Sequence, residues 1–586
     1  MPEPQNDFFK SRVLGHPSGL FVLFFTEMWE RFSFYGMRAL LVMFLTAALL
    51  DGGWSWTREQ AMALFGSYVG LVYLSTMLGG YFADKKIGYR LAVVVGALMM
   101  TMGHASMAIE TQFSIYLGLI LLVFGNGFFK PNMTSIISEM YKDHPDKKDG
   151  AYTIFYMGVN SGAFFGILLC GYLGEKVGWS WGFGLAGVFM LFGLIQFWLA
   201  QHIFGTIGLK PVKKKDTAAL EKARAELGDD RLNPFSGGQL ALIGLMVTLG
   251  LLWIIFEPAK LISNGKIDIF NFSVMGLSGN NFTILLALVL FIGLLIYRLS
   301  RYTPVTRDKM IAVSFFAFLT MFFWAIFEQS PGTLTIFARD YTNRILEGSA
   351  GTIFKVVNAL ITIIPLSIIT WVLFKLFGQT FKKYAVSNLI LASSFLIIWC
   401  IAIWMLYNQF SEKTLEVPAS WFSTLNSLFI ISLAPLFSKW WSSKYNPPAN
   451  VKYAIGMSLL ALGMVCVAVG AGSIVPGAKT ASVSMIWLIL VYLFHTMGEL
   501  CISPVGLSYV SKLVPGRMIA VMFGIWYLAV AIGMKGAAKF GENVDKIADE
   551  KGISYFFWML AAVSFTVAVI AVLFRPVIKK LMHGVR

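Results

Sequence analysis

Residues 79–90 read GGYFADKKIGYR, a short stretch that separates two long apolar runs. Its glycines allow neighbouring helices to approach closely, and Asp84 with the cations that follow can cap helix ends and pair with them. The chain as a whole is 57% apolar and only 13% charged, whereas soluble domains contain roughly 25% charged residues. This composition indicates that lipid, rather than water, surrounds most of the protein.

Apolar runs of membrane-spanning length follow one another along nearly the whole chain. A bilayer core about 30 Å thick requires roughly 20 apolar residues per helix. The runs are continuously apolar rather than alternating, which favours helices over a membrane β-barrel. We therefore predict an all-α integral membrane protein. About sixteen crossings are expected, at residues 19–50, 60–82, 90–109, 113–140, 152–172, 181–203, 238–256, 282–298, 310–330, 352–374, 385–407, 419–438, 453–473, 483–510, 518–535 and 555–574.

The excess of positive charge follows this topology. The chain has 47 Lys and Arg against 31 Asp and Glu, a net charge of +16, which in a soluble chain would suggest a nucleic acid partner. Most of the cations fall in segments on the side of the N terminus, which is the positive-inside bias of membrane proteins. We expect both termini to be cytoplasmic, the lipid bilayer to be the main partner, and no nucleic acid or obligate protein partner.

The stretch at 79–90 resembles the loop signature of the major facilitator superfamily. Membership would imply two six-helix halves around a midplane binding site, with access that alternates between the two sides. The longest polar interruption, at 204–237, fits a cytoplasmic linker between the halves. We expect an N-terminal six-helix bundle at 1–203, a linker with two extra transmembrane helices at 204–308, and a C-terminal six-helix bundle at 309–586 with an inserted transmembrane hairpin at about 352–407.

Charged residues cluster in the first apolar run, which reads EMWERFSFYGMR over residues 27–38. At about 100° per residue, the side chains of Glu27, Glu30, Arg31 and Arg38 lie on one stripe of a helix. Two carboxylates beside one guanidinium should titrate together. Because charges inside the membrane are costly and mark transport pathways, we predict a site that holds and releases a proton. A purely structural ion-pair network is the alternative.

This run resembles the ExxERFxYYG motif of the proton-coupled oligopeptide transporter family, also called POT or PTR2. Residues 125–132 (GNGFFKPN) are similar to its GxGxxKPN element, residues 155–162 (FYMGVNSG) to its FYxxINxG signature, and residues 498–507 (GELCISPVGL) to its GELxxSPxGL element. Trp324 and the FEQ sequence at 327–329 match its seventh helix. The resemblance spans nearly the whole chain and is to a bacterial-type member.

The resemblance implies a role for each matched residue, because a zwitterionic peptide needs fixed charges for its two termini and adaptable walls between them. The peptide carboxylate would be bound by Arg31, Arg38 and Lys130. The amino terminus would be received by Asn160, Asn426 and Glu499. The side-chain pockets would be formed by Tyr35, Tyr73, Tyr156, Trp324, Phe327 and Trp526. Ser503, one turn from Glu499, completes the peptide-binding set. Proton coupling would use Glu27, Glu30, Arg31, Glu328 and Glu499.

Alternating access also requires contacts that close one side at a time. By resemblance, Arg38 would pair with Glu328 on the outside, and Lys130 would pair with Glu499 on the inside. Protonation of a carboxylate breaks its ion pair, so proton binding and movement of the halves would be coupled.

The sequence therefore predicts a proton-coupled symporter that imports di- and tripeptides across the plasma membrane, which would be the inner membrane of a bacterium. The proton is the coupling ion, and we expect no other cofactor and no metal. The chain departs from the family pattern at Phe34, Val159 and Ser427. The alternative is a transporter of the same family for another small anion or zwitterion, such as nitrate, an amino-acid derivative or a drug.

Motifs of other functions are not found in the sequence. It contains no Walker element, no metal-ligand cluster and no Ser, His and Asp constellation, so we expect neither an ATP-driven pump nor an enzyme. The cysteines have no metal-ligand spacing and are predicted to be buried thiols; they are Cys170, Cys400, Cys466 and Cys501.

Overall fold

The computed structural model describes residues 8–211, 233–514 and 519–585, and nearly all of it consists of long helices. The polar linker with Lys213, Lys214 and Lys215 lies outside the described residues. The predicted all-α membrane fold is confirmed, since the helices are long and apolar enough to cross a bilayer.

Six helices follow the N terminus and form the first half of the bundle. They are α1 (Ser18–Thr46), α2 (Arg58–Phe82), α3 (Tyr89–Met107), α4 (Gln112–Met140), α5 (Pro145–Lys176) and α6 (Trp179–Ala200). Thr57 and Thr111 begin α2 and α4 with capping boxes, which satisfy backbone N–H groups at the helix ends. A Cβ atom on Gly79 would overlap the backbone of Gly127, so this glycine allows α2 to pack closely against α4.

Two further helices form an accessory pair. They are α7 (Gly237–Ile262) and α8 (Gly279–Leu299). In the 18-residue apolar stretch of each helix, only 6% of α7 and 17% of α8 is buried inside the protein. The pair therefore lies at the periphery of the bundle, with most of its surface available to lipid.

The second half of the bundle follows the accessory pair. Its helices are α9 (Pro304–Phe327), α10 (Thr335–Tyr341), α11 (Gly348–Ser411), α12 (Thr424–Trp441), α13 (Ala449–Gly470), α14 (Met485–Leu513), α15 (Ile519–Glu542), α16 (Val544–Lys551), α17 (Ile553–Leu573) and α18 (Arg575–Leu581). A π-helical turn at Ser330–Leu334 connects α9 to α10.

Helix α11 is a hairpin of two antiparallel segments. Its 64 residues are interrupted at Tyr384, whose φ of −127° and ψ of 42° are not helical. Residues equally distant from this point are hydrogen bonded, as shown by Asn358 with Gln409 at 2.8 Å and by Trp399 with Thr370 at 3.0 Å. The hairpin thus crosses the membrane twice.

The α11 hairpin packs against the first half of the bundle, although it belongs to the second half in sequence. The ring of Phe395 contacts those of Phe25 and Trp29 on α1, with centroid distances of 5.6 and 5.5 Å. Ser387 donates a hydrogen bond of 2.9 Å to the carbonyl oxygen of Gln196 on α6. The hairpin therefore lies on the outer surface of the first half, away from its sequence neighbours in the helices of the second half.

The number of crossings agrees with the expected value of about sixteen. Thirteen of the described helices have the length and composition of a membrane span, and α11 accounts for two crossings. Helix α1 is not among the thirteen because each 18-residue window of it contains at least three charged residues. With α1 and α15, the crossings number sixteen, and the chain returns to the side on which α1 begins. We call this the termini side and the other the opposite side.

Short strands connect several helices. They are β1 (Arg12–Val13), β2 (His16–Pro17), β3 (Ser273–Val274), β4 (Leu277–Ser278), β5 (Thr342–Asn343), β6 (Ile345–Leu346), β7 (Leu415–Glu416) and β8 (Val483–Ser484). The pairs β1–β2, β3–β4 and β6–β7 are antiparallel, and β5–β8 is parallel.

The prediction of four buried cysteines is wrong for Cys400, which is exposed on α11. Cys170 and Cys501 are buried, and Cys466 is half-buried. Because α11 contributes a lipid-facing surface, an apolar run is no guarantee that a side chain lies inside the protein.

Candidate substrate site

The charged stripe of α1 forms one compact network. Arg31 Nε lies 2.8 Å from Glu27 Oε1 and 2.8 Å from Glu30 Oε2. Asn126 on α4 donates a hydrogen bond of 3.0 Å to the other oxygen of Glu30. All these side chains are buried. The spacing of residues along α1 is sufficient to bring the three charges together, because Glu30 and Arg31 follow Glu27 by about one helical turn.

Arg38, two turns beyond Arg31, connects the two halves of the bundle. Its guanidinium forms an ion pair with Glu328, which caps the C-terminal end of α9. The rings of Phe34 and Phe65 lie 5.9 and 5.7 Å from the guanidinium. Arg31 lies 5.8 Å from the same Phe34 ring. Phe34 therefore contacts both guanidinium groups.

A cavity of about 170 Å³ lies between the two halves, next to Arg38. Eight of the predicted peptide-binding residues line it: Tyr35, Arg38, Tyr73, Tyr156, Asn160, Trp324, Asn426 and Glu499. Phe327 and Glu328 also line it. These residues come from α1, α2, α5, α9, α12 and α14, so the cavity exists only when both halves are folded and packed against each other.

Glu499 provides a carboxylate on the wall that α14 contributes. Asn426 donates a hydrogen bond of 3.0 Å to Glu499 Oε2, and it also donates one of 3.1 Å to Thr496. Arg38 and Glu499 thus place opposite charges on one cavity, with aromatic and amide side chains between them. This arrangement suits a small zwitterion.

Four of the predicted binding residues do not line the cavity. Arg31 is held by Glu27 and Glu30 in the α1 network, and Lys130 contacts the cavity wall, with its ammonium 4.5 Å from the ring of Tyr73. Ser503 is half-buried, and its buried hydroxyl has no hydrogen-bond partner among the described residues. Trp526 packs against Gly506, where a Cβ atom would overlap the indole ring.

The two predicted gate pairs are in different states. Arg38 is paired with Glu328. Among the residues that the structure describes, no carboxylate forms an ion pair with Lys130, and Glu499 is held by Asn426 instead. The structure therefore contains the predicted Arg38–Glu328 pair and not the predicted Lys130–Glu499 pair.

Further contacts close the opposite side. Arg58, which begins α2, forms ion pairs of 2.6 Å with Asp340 and 3.2 Å with Asp545 in the second half. The Glu175 carboxylate at the end of α5 accepts hydrogen bonds of 2.8 and 3.0 Å from the backbone N–H groups of Ala419 and Ser420. The substrate cavity is therefore sealed from the opposite side by contacts between the halves.

Glu416, in the loop before α12, contributes to this closure. Its carboxylate lies 3.0 Å from Lys176 in the first half and 2.9 Å from Arg344 in the second. Partial burial favours a higher pKa, but the hydrogen bond from Lys176 and the charge of Arg344 outweigh it and lower the pKa of Glu416 below its ordinary value. Glu416 thus bridges the halves as a carboxylate.

Sequence reasoning missed a group of hydroxyls on the cavity wall. Tyr492 Oη lies 3.0 Å from Ser330 Oγ and 3.1 Å from Ser423 Oγ, and all three residues line the cavity. Tyr492 precedes Glu499 by seven residues, two turns of α14, so helical spacing from Glu499 was the signal that could have found it. Ser330 and Ser423 carry no such signal, because they lie on other segments.

Comparisons with known proteins show which family the chain is similar to. A model of the POT family matches residues 90–219 and 401–551. The peptide transporter YePEPT of Yersinia enterocolitica is 30% identical over 577 residues, which are 97% of this chain and 96% of that protein. A di-/tripeptide transporter of Lactococcus lactis subsp. cremoris is 28% identical, over 98% of each chain.

Solved structures show the same fold. The crystal structure of a peptide transporter POT in complex with sulfate shares 29% sequence identity with this chain and covers 97% of each chain, with a TM-score of 0.68. The structure of a POT family transporter in complex with 5-aminolevulinic acid shares 25% identity over 97% of this chain and 98% of that one, with a TM-score of 0.69. The protein described here is a member of the POT family of membrane transporters.

Proposed function

We propose that this protein is a symporter that imports di- and tripeptides together with protons by alternating access. The observation that carries the proposal is the cavity, which presents Arg38 and the Glu499 carboxylate to one small space between the halves. A short peptide has a carboxylate at one end and an ammonium at the other, so this pair of charges can bind both termini. The names of the relatives, which are peptide transporters, support the same substrate class.

The proposed roles of the residues follow their positions. Arg38, with Lys130 behind Tyr73, binds the peptide carboxylate, and Glu499 with Asn160 and Asn426 receives the amino terminus. The aromatic side chains bound the space for the peptide's own side chains; these are Tyr35, Tyr73, Tyr156, Trp324 and Phe327. Arg31 acts through the α1 network, and Ser503 and Trp526 contribute in the conformations in which the termini side closes.

Coupling to protons uses carboxylates that already have cationic or amide partners. Glu27 and Glu30 share Arg31, and Glu328 holds Arg38. A proton on any of these oxygens removes its negative charge and weakens the pair. Because Arg38 and Glu328 belong to different halves, protonation of Glu328 favours separation of the halves on the opposite side. The proton is the coupling ion of this proposal, which requires no other cofactor.

The orientation in the membrane follows from charge. Most Lys and Arg residues outside the helices lie on the termini side, so we place this side in the cytoplasm and the protein in the plasma membrane, the inner membrane of a bacterium. The opposite side is then the outside, and the conformation is closed to the outside. Residues 1–203 and 309–586 are the two moving halves in this proposal, with the accessory segment 204–308 between them in sequence.

Uptake into proteoliposomes tests the function. Purified protein should accumulate labelled di-alanine above equilibrium when an inward proton gradient is applied, and a protonophore should abolish the accumulation. Excess unlabelled dipeptide should compete, and nitrate should not. Accumulation that nitrate or an amino-acid derivative suppresses better than dipeptides would favour the alternative substrate class. No gradient-dependent uptake by correctly inserted protein would contradict the symport mechanism.

A further inference from the structure

The accessory helix α7 carries one buried charge. Only 4% of the Glu257 surface is exposed. The rest of the helix is different, because only 6% of its 18-residue apolar stretch is buried inside the protein. A carboxylate at membrane depth is expensive unless it is paired. Glu257 Oε2 lies 2.9 Å from Lys535 Nζ, and Glu257 Oε1 contacts Lys539. Both lysines lie on α15, in the second half of the bundle.

Lys535 is the centre of the cluster. It is 3% exposed, and its ammonium also donates hydrogen bonds of 3.0 Å to Ser67 Oγ and 3.2 Å to the carbonyl oxygen of Ala63. An ammonium has three N–H donors, and Glu257, Ser67 and Ala63 use all three. Ser67 and Ala63 lie on α2, in the first half. One ammonium therefore joins the accessory helix, the first half and the second half.

Close packing holds this junction together. A Cβ atom on Gly66 of α2 would overlap the Cβ atom of Ala538 on α15. A Cβ atom on Gly70 would lie 2.8 Å from the Cδ1 atom of Ile254 on α7. The two glycines, one turn apart, thus allow α2 to approach each of its partners at the level of Lys535.

The junction lies in the outer half of the membrane and contains balanced charge. Ser67 is about two and a half turns along α2 from Arg58, whose ion pairs with Asp340 and Asp545 close the outside. Lys539 pairs with Glu542 at 2.7 Å as well as with Glu257, so two lysines face two glutamates. The hydrogen bonds of Lys535 to Ser67 and Ala63 join α2 to α15, so a movement that parts these two helices on the outside breaks them.

We propose that Glu257 and Lys535 form a latch through which the accessory helix stabilises the conformation closed to the outside. The accessory pair then takes part in alternating access, because Glu257 fixes the Lys535 ammonium in the position from which it binds α2. Both are positioning residues, since neither lines the substrate cavity. The inference rests on the orientation proposed above, and it does not depend on the identity of the substrate.

The test measures the separation of the halves on the outside without substrate. Spin labels are attached at Leu50→Cys and Val475→Cys, two exposed positions on outer loops of opposite halves, after the four native cysteines have been replaced. We expect Glu257→Gln and Lys535→Met each to increase the population with the longer distance, raising the open-to-closed ratio roughly tenfold, as loss of a charged hydrogen bond predicts. Ser67→Ala should produce a smaller shift in the same direction.

Lys260→Met is the matched control. Lys260 also lies on α7, but it pairs at 2.8 Å with Asp268 inside the accessory segment and contacts neither half through that pair. Lys260→Met should leave the distribution of spin-label distances unchanged. The inference is overturned if Glu257→Gln, Lys535→Met and Ser67→Ala all retain the native distances while eluting as folded protein. If the charge variants do not fold, Ser67→Ala decides the question alone, since it removes one hydrogen bond and no charge.

Discussion

Arg38 on α1 is ion-paired with Glu328 at the end of α9, and this contact connects the two halves beside the substrate cavity. The other predicted gate pair is Lys130 with Glu499. Lys130 lies against the ring of Tyr73, and Glu499 accepts a hydrogen bond from Asn426 instead. The conformation is therefore closed on the side of Arg38, and the carboxylate proposed to bind the peptide amino terminus is free of any cationic partner among the described residues.

Glu499→Gln should separate proton coupling from substrate binding. The amide keeps the shape of the side chain but cannot bind or release a proton, so accumulation driven by a proton gradient should be lost. Exchange of labelled for unlabelled peptide across the membrane, which needs no net proton movement, should be affected less. Uptake and counterflow in the same proteoliposomes measure the two activities. Equal loss of both would contradict the role assigned to Glu499.

Glu328→Gln should destabilise the closed conformation. The substitution leaves the Arg38 guanidinium buried without its carboxylate, and breaking a buried pair in this way costs about 3–5 kcal/mol. Thermal unfolding in detergent should show a lower Tm than the native protein. The double variant Arg38→Gln/Glu328→Gln removes both charges and should recover part of the loss. A double variant that is less stable than Glu328→Gln would show that the pair is not coupled.

Tyr492→Phe should weaken substrate binding without uncoupling transport. It removes the hydroxyl that Ser330 and Ser423 contact and alters a polar part of the cavity wall. A hydrogen bond contributes about 1 kcal/mol net, so its loss predicts a roughly fivefold increase in KM. The accumulation ratio at saturating peptide should stay the same. Tyr407→Phe is the control, because Tyr407 is 71% exposed on α11. An unchanged KM for Tyr492→Phe would place the hydroxyls outside the binding site.

Glu416→Gln should change the pH dependence of stability. The lowered pKa of Glu416 means that its ion pairs stabilise the closed conformation when the carboxylate is charged. Their contribution is fully present above the ordinary value of 4.5 and is lost as the pH falls through the lowered pKa. The Tm of Glu416→Gln should therefore be below that of the native protein at pH 7, and the difference should shrink progressively below pH 4.5. The difference should be small, because Glu416 is 47% exposed. A difference that grows on acidification would contradict this sign.

The sequence predicted the features that depend on neighbours along one helix. Glu27, Glu30 and Arg31 meet because residues three and four apart share a helix face, whatever the rest of the chain does. Continuous apolar runs likewise predict membrane helices, since the bilayer thickness fixes their length. The same local spacing places Tyr492 two turns before Glu499 on the cavity face of α14.

Tertiary structure decided which distant residues meet. Glu257 and Lys535 are 278 positions apart and lie near the ends of their apolar runs, where a charge usually reaches water, and only the packing of α2, α7 and α15 buries them together. Packing also decides that α11 lies against the first half of the bundle. The local pattern of a helix specifies the direction of each side chain, and the identity of the helix that it meets is a property of the assembled bundle.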